Sequence, residues 1–293
     1  MHHRNIFAFL FLISLQGLLI SCSGAFYHPT KETHIDPVTL GFSYGDIHFE
    51  SSDGTKLHGW LFPSTHETEE FGTIVQFHGN AENISTHFLS MAWVTKIGYN
   101  LFTFDYRGYG RSEGNPDQEG LNQDAVAAIN FALQLNETRK VKLFGAEGPQ
   151  TLKLFLFGQS LGGAVLIRAL KDIPHKDRIN AIIVDSSFYS YTAIAKDVLA
   201  GSLLTWPFQP LAYVLISDRF SPKKVIPTIT PVPLLVIHGT NDRVIPFKQG
   251  YEIHRLAKEP KYFWKIPGGS HIDSMIQHNH LYRDKLKEFL MKH

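Results

Sequence analysis

A chain of 293 residues with 43% apolar and 19% charged residues can bury a sizeable core, and its composition is that of an ordinary globular protein. Its 28 lysines and arginines nearly balance 27 aspartates and glutamates, with no long block of either sign, which argues against nucleic acid or another polyanion as partner. A single cysteine, Cys22, excludes an intrachain disulfide, and the 16 histidines form no H-E-x-x-H or Cys/His pattern, so neither a metal nor another cofactor is expected.

The chain opens His2-His3-Arg4-Asn5 and then runs apolar from Ile6 to Ile20, interrupted by Ser14, Gln16 and Gly17. That run is short for a membrane-spanning helix, which needs roughly 20 residues, but it suits a signal-peptide core. It ends in Leu19-Ile20-Ser21-Cys22, which resembles the lipobox of bacterial lipoproteins. The resemblance implies that the Cys22 sulfur takes a diacylglyceryl group and that cleavage leaves Cys22 as the new N-terminus. Acyl chains contribute about 0.8 kcal/mol per buried CH₂, so several would hold the protein at a membrane surface. An uncleaved anchor and an ordinary signal peptide are the alternatives, and each of the three exports the domain. Residues 1–22 are therefore set apart as a signal peptide, and 23–41, polar and proline-containing, read as a tether.

From residue 42 to 293, apolar strand-like runs alternate with helical patterns, the mark of a mostly parallel sheet covered by helices in one α/β domain. Strands are expected at Tyr44–Glu50 and Leu57–Phe62, joined by Ser51-Ser52-Asp53-Gly54, and their partial polarity predicts an antiparallel edge. A buried strand at Thr73–His78 leads through Gly79-Asn80 to a helix over Ser85–Ile97. Tyr99–Asp105 opens into the glycine-rich Arg107-Gly108-Tyr109-Gly110, and a helix follows over Glu119–Asn136. Leu152–Phe157 runs straight into Gly158-Gln159-Ser160-Leu161-Gly162 and a helix start over Gly163–Leu170. Ala181–Val184, Leu234–Ile237 and Tyr262–Ile266 complete the strands, and a helix over Asn279–Met291 closes the chain. Residues 189–231 break the alternation and carry Trp206, Phe208, Leu211, Tyr213 and Val214, so a short helical cap that also packs on the sheet is expected there.

The pentapeptide G-x-S-x-G is a weak signal alone, but here it follows an apolar strand and precedes a helix, the setting of a nucleophile elbow. A sharp turn strains the serine and leaves no room for bulk two residues either side, while the helix aims its first amides at developing negative charge. Ser160 is the candidate nucleophile, and a serine hydroxyl needs a base to take its proton. His271, in Gly268-Gly269-Ser270-His271 after the last expected strand, has the best position among the histidines. His78 and His238 precede glycines at strand ends and read as loop pins; His254 and His58 read as helix and strand surface residues, and His278 and His280 as solvent-facing. The base in turn needs a carboxylate to fix its tautomer. Asp242 follows the penultimate strand and gives the chain order Ser160, Asp242, His271, with Asp185 as its rival. Asp105 and Asp218 read by position as a loop-fixing and a cap residue. The oxyanion of a tetrahedral intermediate would take the Leu161 amide and one from His78-Gly79-Asn80-Ala81, with Asn80 preferred over its neighbour Ala81.

From Tyr44 onward the chain resembles the α/β-hydrolase superfamily through five ordered motifs: His78–Asn80, Asp105–Ser112, Gly158–Gly163, His238–Pro246 and Gly269–His271, with Ile245 standing between Val244 and Pro246. The resemblance implies an eight-stranded sheet with Ser160, Asp242 and His271 at its C-terminal edge. It also implies cleavage of an ester or thioester through an acyl-enzyme on Ser160, on a small acyl-containing substrate that includes lipids. An acyltransferase or peptidase on the same triad and a non-catalytic binding lipoprotein are the rival functions. Serine in the elbow, where dehalogenases and epoxide hydrolases place aspartate, argues against those two.

Overall fold

The computed structural model describes residues 26–66, 70–138, 152–201, 204–277 and 281–293. The segment 1–22 with Cys22, and also His278 and His280, lie outside the described residues.

Eight strands form one sheet: β1 (Gly45–Glu50), β2 (Lys56–Phe62), β3 (Gly72–Phe77), β4 (Tyr99–Phe104), β5 (Lys153–Gln159), β6 (Ala181–Asp185), β7 (Leu234–Gly239) and β8 (Lys261–Ile266). Their order is β8-β7-β6-β5-β3-β4-β2-β1. β2 runs antiparallel to both β1 and β4, and every other pair is parallel. β3 and β4 are buried at every position and carry no hydrophobic alternation, whereas edge strand β1 has no fully buried residue. This is the α/β-hydrolase architecture.

Alternate residues of each strand feed two separate cores, as the two-residue period of a strand requires. Val75, Leu154 and Leu156 face the core under α1 (Gln118–Thr138), α2 (Leu161–Ala169), α3 (Tyr191–Ala200) and α4 (Phe247–Leu256). Ile74, Phe155 and Phe157 face the core closed by α5 (Leu281–Lys292) together with Phe88 and Met91.

Three expectations from sequence fail locally. The single helix over Ser85–Ile97 is instead a one-turn helix, Ile84–His87, followed by 3-10 turns at Phe88–Ser90 and Ala92–Ile97. Hydroxyls break it: Ser90 Oγ donates to the His87 carbonyl at 3.0 Å and Thr95 Oγ1 to the Ala92 carbonyl at 2.8 Å, competing with the helical ladder. The polar segment before residue 42 is docked over its described part. His28–Pro29 pairs in parallel with Ala81–Glu82, Tyr27 is buried, and Asn83 Nδ2 donates to the carbonyls of Thr30 and Glu32. Its polar groups therefore serve as bonds to the domain and not as a solvated tether. His58 is buried, not on the surface, because its strand lies between β1 and β4, and Asp46 accepts from its Nε2 at 2.6 Å.

The stretch between β6 and β7 holds α3, a 3-10 helix at Trp206–Leu211 and a one-turn helix at Ala212–Leu215. Ser190 caps α3 by accepting from the Ala193 amide, a signal that the sequence carries.

Candidate functional site

β5 ends in the elbow, and Ser160 takes φ 53° and ψ −118° between that strand and α2. A non-glycine residue holds such a conformation only where its surroundings overdetermine it. Here the Ser160 amide donates to the Asp185 carbonyl at 2.9 Å and Ser187 Oγ donates to the Ser160 carbonyl at 2.8 Å. The glycines follow from close approach: a Cβ on Gly162 would lie 2.1 Å from the Phe77 carbonyl oxygen, and one on Gly158 2.6 Å from Gly163 Cα. α2 can thus start directly over the end of β3, beside the His78–Ala81 loop. Gln159 is locked from below, where Gln76 Nε2 donates to its Oε1.

His271 and Asp242 meet directly. His271 Nδ1 donates to Asp242 Oδ2 at 2.8 Å, which leaves Nε2 for a second partner. Asp242 Oδ1 accepts from the amides of Val244 and Ile245 at 2.9 and 2.8 Å. Burial works to raise the Asp242 pKa, but the neighbouring His238 ring, the bond from His271 and the Ile245 amide outweigh it and hold the carboxyl well below its ordinary range. His238 Nε2 donates to the Ile245 carbonyl at 2.8 Å and so closes the loop that carries Asp242. A Cβ on Gly239 would sit 2.3 Å from the Gly269 carbonyl oxygen, so the two loops at the ends of β7 and β8 need that glycine to touch.

Asp185, the other carboxylate considered, does not bond His271. It accepts from Ser186 Oγ and Ser274 Oγ, and burial pushes its pKa up to about 6. Its segment nevertheless joins the two halves of the site. The Asp185 carbonyl holds Ser160, and Ser186 Oγ accepts from the Ile272 amide, next to His271, at 3.1 Å. Ser160 Oγ and His271 form no hydrogen bond in this structure; such bonds often tighten only with substrate present.

The Leu161 and Asn80 amides donate no hydrogen bond to any described residue, which leaves both available to an incoming oxygen. The remaining polar atoms of Asn80 are committed: Tyr109 Oη donates to its carbonyl, its Oδ1 accepts from the His28 amide, and its Nδ2 donates to the Phe26 carbonyl. Ala81 is paired with His28, and its carbonyl accepts from His87 Nε2 at 2.9 Å. His78 is fully buried, donates from Nδ1 to the Gly79 carbonyl, and is driven down to a pKa of about 3 by burial. It pins the loop as a neutral ring. The glycine-rich motif after β4 supports the same loop: Asp105 Oδ1 accepts from the Ile84 amide, and Arg107 pairs with Asp124 and Asp53 at 2.8 Å each. Asp218 lies in the cap, where it accepts from Ser190, Ser221 and Lys223.

One neighbour carries no sequence mark. His87 lies with Cε1 3.2 Å and Ser160 Cβ 3.8 Å from where a Gly79 Cβ would be. Burial lowers its pKa, and the His271 charge adds to that. No motif or spacing singles it out. Among the described residues no group of three or more His, Cys, Asp or Glu could hold a metal ion.

The family model described as serine aminopeptidase, S33, matches residues 68–225. The chain is 36% identical over 270 residues to the uncharacterised protein YfhR of Escherichia coli, covering 91% of this chain and 86% of that one. It is 32% identical to the alpha/beta hydrolase domain-containing protein WAV2 of Arabidopsis thaliana, covering 90% and 84%. Among solved structures, an esterase of Pyrococcus furiosus superposes with a TM-score of 0.68 at 19% identity, covering 91% of this chain and 98% of that one. Est1E of Butyrivibrio proteoclasticus with ferulic acid bound gives 0.62 at 19%, covering 84% and 98%.

Proposed function

Because the chain belongs to the serine aminopeptidase S33 family of α/β hydrolases, we propose that it cleaves a carboxylic ester or thioester through an acyl-enzyme on Ser160. The observation that carries this reading is the 2.8 Å bond from His271 Nδ1 to Asp242, set beside an elbow that holds Ser160 at positive φ. His271 Nε2 takes the Ser160 proton as Oγ attacks the carbonyl carbon, and the oxyanion rests on the amides of Leu161 and Asn80. The imidazolium, held by ionised Asp242, then protonates the leaving alcohol or thiol. Water then enters: His271 takes its proton as the water oxygen bonds to the acyl carbon, the acyl–Oγ bond breaks to release the acid, and His271 returns the proton to Ser160 Oγ.

The name of the family favours a second reading, removal of an N-terminal amino acid from a peptide. An aminopeptidase must hold a free ammonium, normally with a carboxylate. Asp242 is spent on His271 and two amides, and Asp185 on Ser186 and Ser274, so neither is free to hold that ammonium. Esters and thioesters make no such demand. The apolar run from Ile6 to Ile20 and the Ser21-Cys22 ending support export and a lipid anchor at Cys22, which would bring the domain to lipid substrates.

A panel of acyl esters, acyl thioesters, lysophospholipids and aminoacyl amides decides among these, run with the wild-type protein and Ser160→Ala. We expect ester or thioester turnover, fluorophosphonate labelling of the wild type alone, and a mass that begins at modified Cys22. Turnover surviving Ser160→Ala would end the acyl-enzyme reading. Exclusive cleavage of aminoacyl amides would favour the peptidase, transfer to an alcohol without hydrolysis an acyltransferase, and an intact Met1 would refute the processing.

A further inference from the structure

We propose that the outer face of the cap, formed by Val198, Trp206, Phe208, Tyr213 and Val214, is a bilayer-contacting surface that seats the domain on a lipid membrane.

Trp206, Phe208, Tyr213 and Val214 are each more than half exposed. Single exposed apolar residues are ordinary, but these crowd into one short stretch of chain beside a groove of about 320 Å³. Ile194, Val198, Leu199, Phe208, Leu211 and Leu215 wall that groove, and the surface it offers is almost wholly apolar.

The N-terminal chain departs from this same groove. Phe26, the first described residue, lines it and packs edge-on against Tyr191, the first residue of α3, with ring centroids 5.7 Å apart. The apolar run ends at Ile20, six residues before Phe26. Six residues span at most about 20 Å when fully extended. A membrane that receives the run or its lipidated cysteine therefore lies within that distance of the cap.

The residue types also match a membrane interface. Tryptophan and tyrosine prefer the headgroup level, and lysine stretches from apolar surface toward water. Lys196 Nζ sits 5.8 Å from the centroid of the exposed Tyr213 ring. The N-terminal run is a poor occupant for the groove, since 15 residues as a helix would be about 22 Å long. It would also leave Trp206, Tyr213 and Val214 uncovered, because none of them lines the groove.

The proposal stands apart from the reaction, so the test reads no turnover. The full chain is reconstituted in phosphatidylcholine vesicles with and without brominated acyl chains, which quench tryptophan on contact. The four tryptophans are Trp60, Trp93, Trp206 and Trp264, and residues 1–25 contain none, so the N-terminal run adds no emission of its own. Bromolipid quenching should be present in the wild type, lost in Trp206→Phe and weakened in Val214→Asp, which keeps all four tryptophans. Equal quenching in wild type and Trp206→Phe would overturn the proposal. So would a Trp206 shielded from aqueous iodide without vesicles and untouched by bromolipid, the result expected if the N-terminal run or a second copy covers the cap.

Discussion

Around Ser160, Asp242 and His271 each turn of the backbone is held by a named hydrogen bond or by a glycine with no space for Cβ, whereas from Trp206 to Leu215 large apolar side chains stand in solvent. Among the described residues the non-glycine positions with positive φ are Glu82, Ser160, Ser186 and Ile272. One is the candidate nucleophile, one follows the candidate oxyanion loop, and two bracket the segment that joins Ser160 to His271. None lies in the cap. The contrast separates two requirements. A reaction needs a few atoms fixed closely and tolerates strain to fix them, while a cap that meets an apolar partner needs surface, and no single atom of it must be placed.

Asp242→Asn breaks the fixed side most severely. An amide can turn its NH₂ toward His271 Nδ1 and favour the tautomer in which Nε2 carries the proton and no longer acts as base. Its carbonyl can still accept from the Val244 and Ile245 amides, so the loop keeps its shape. We expect kcat on a simple ester to fall about 10⁴-fold with the melting temperature nearly unchanged. A loss below about tenfold in kcat would mean that another carboxylate orients His271.

Asp185→Asn tests the same region through stability and pH. The unfolded chain releases the Asp185 proton near the ordinary value of 3.8, and the fold releases it only near 6. Between those values unfolding sheds a proton, so rising pH favours the unfolded chain. The contribution is complete below about 4 and gone above about 6, worth about 3 kcal/mol across the window. Asparagine keeps the size and an acceptor but cannot ionise, so this slope should vanish in urea denaturation between pH 4 and pH 6.5. Parallel curves for the two proteins would show that Asp185 is ionised in the fold at pH 4.

The two regions also differ in how far sequence alone reveals them. The interior strands are legible because strands buried on both faces read as unbroken apolar runs, as at Leu154–Phe157, and the antiparallel edge is legible by its partial polarity. So were the glycines that allow close approach, and through them the places of Ser160, Asp242 and His271 in the fold. What stayed hidden depends on tertiary partners. The docking of residues 26–41 needs Asn83 Nδ2 as donor and Ser85 Oγ as acceptor from a distant loop. α4 buries Gln249, Gly250 and Ile253, and of these only Ile253 is a large apolar residue. His87 comes near Ser160 only because the chain breaks into short turns after β3.

Within the cap itself the same contrast recurs at smaller scale, and paired substitutions can measure it. Ile194 on α3 is buried in the core shared with the sheet, while Val214 is 77% exposed on the one-turn helix that follows. Truncating a buried isoleucine removes its transfer energy and leaves a void that neighbours only partly fill, so Ile194→Ala should cost about 2–4 kcal/mol in chemical denaturation. Val214→Ala deletes atoms already in water and should stay within about 0.5 kcal/mol. Equal costs would mean that Val214 is packed in solution and that the outer cap face is covered. A cost at Ile194 alone would show that α3 is anchored to the sheet while the next helix contributes surface and little stability.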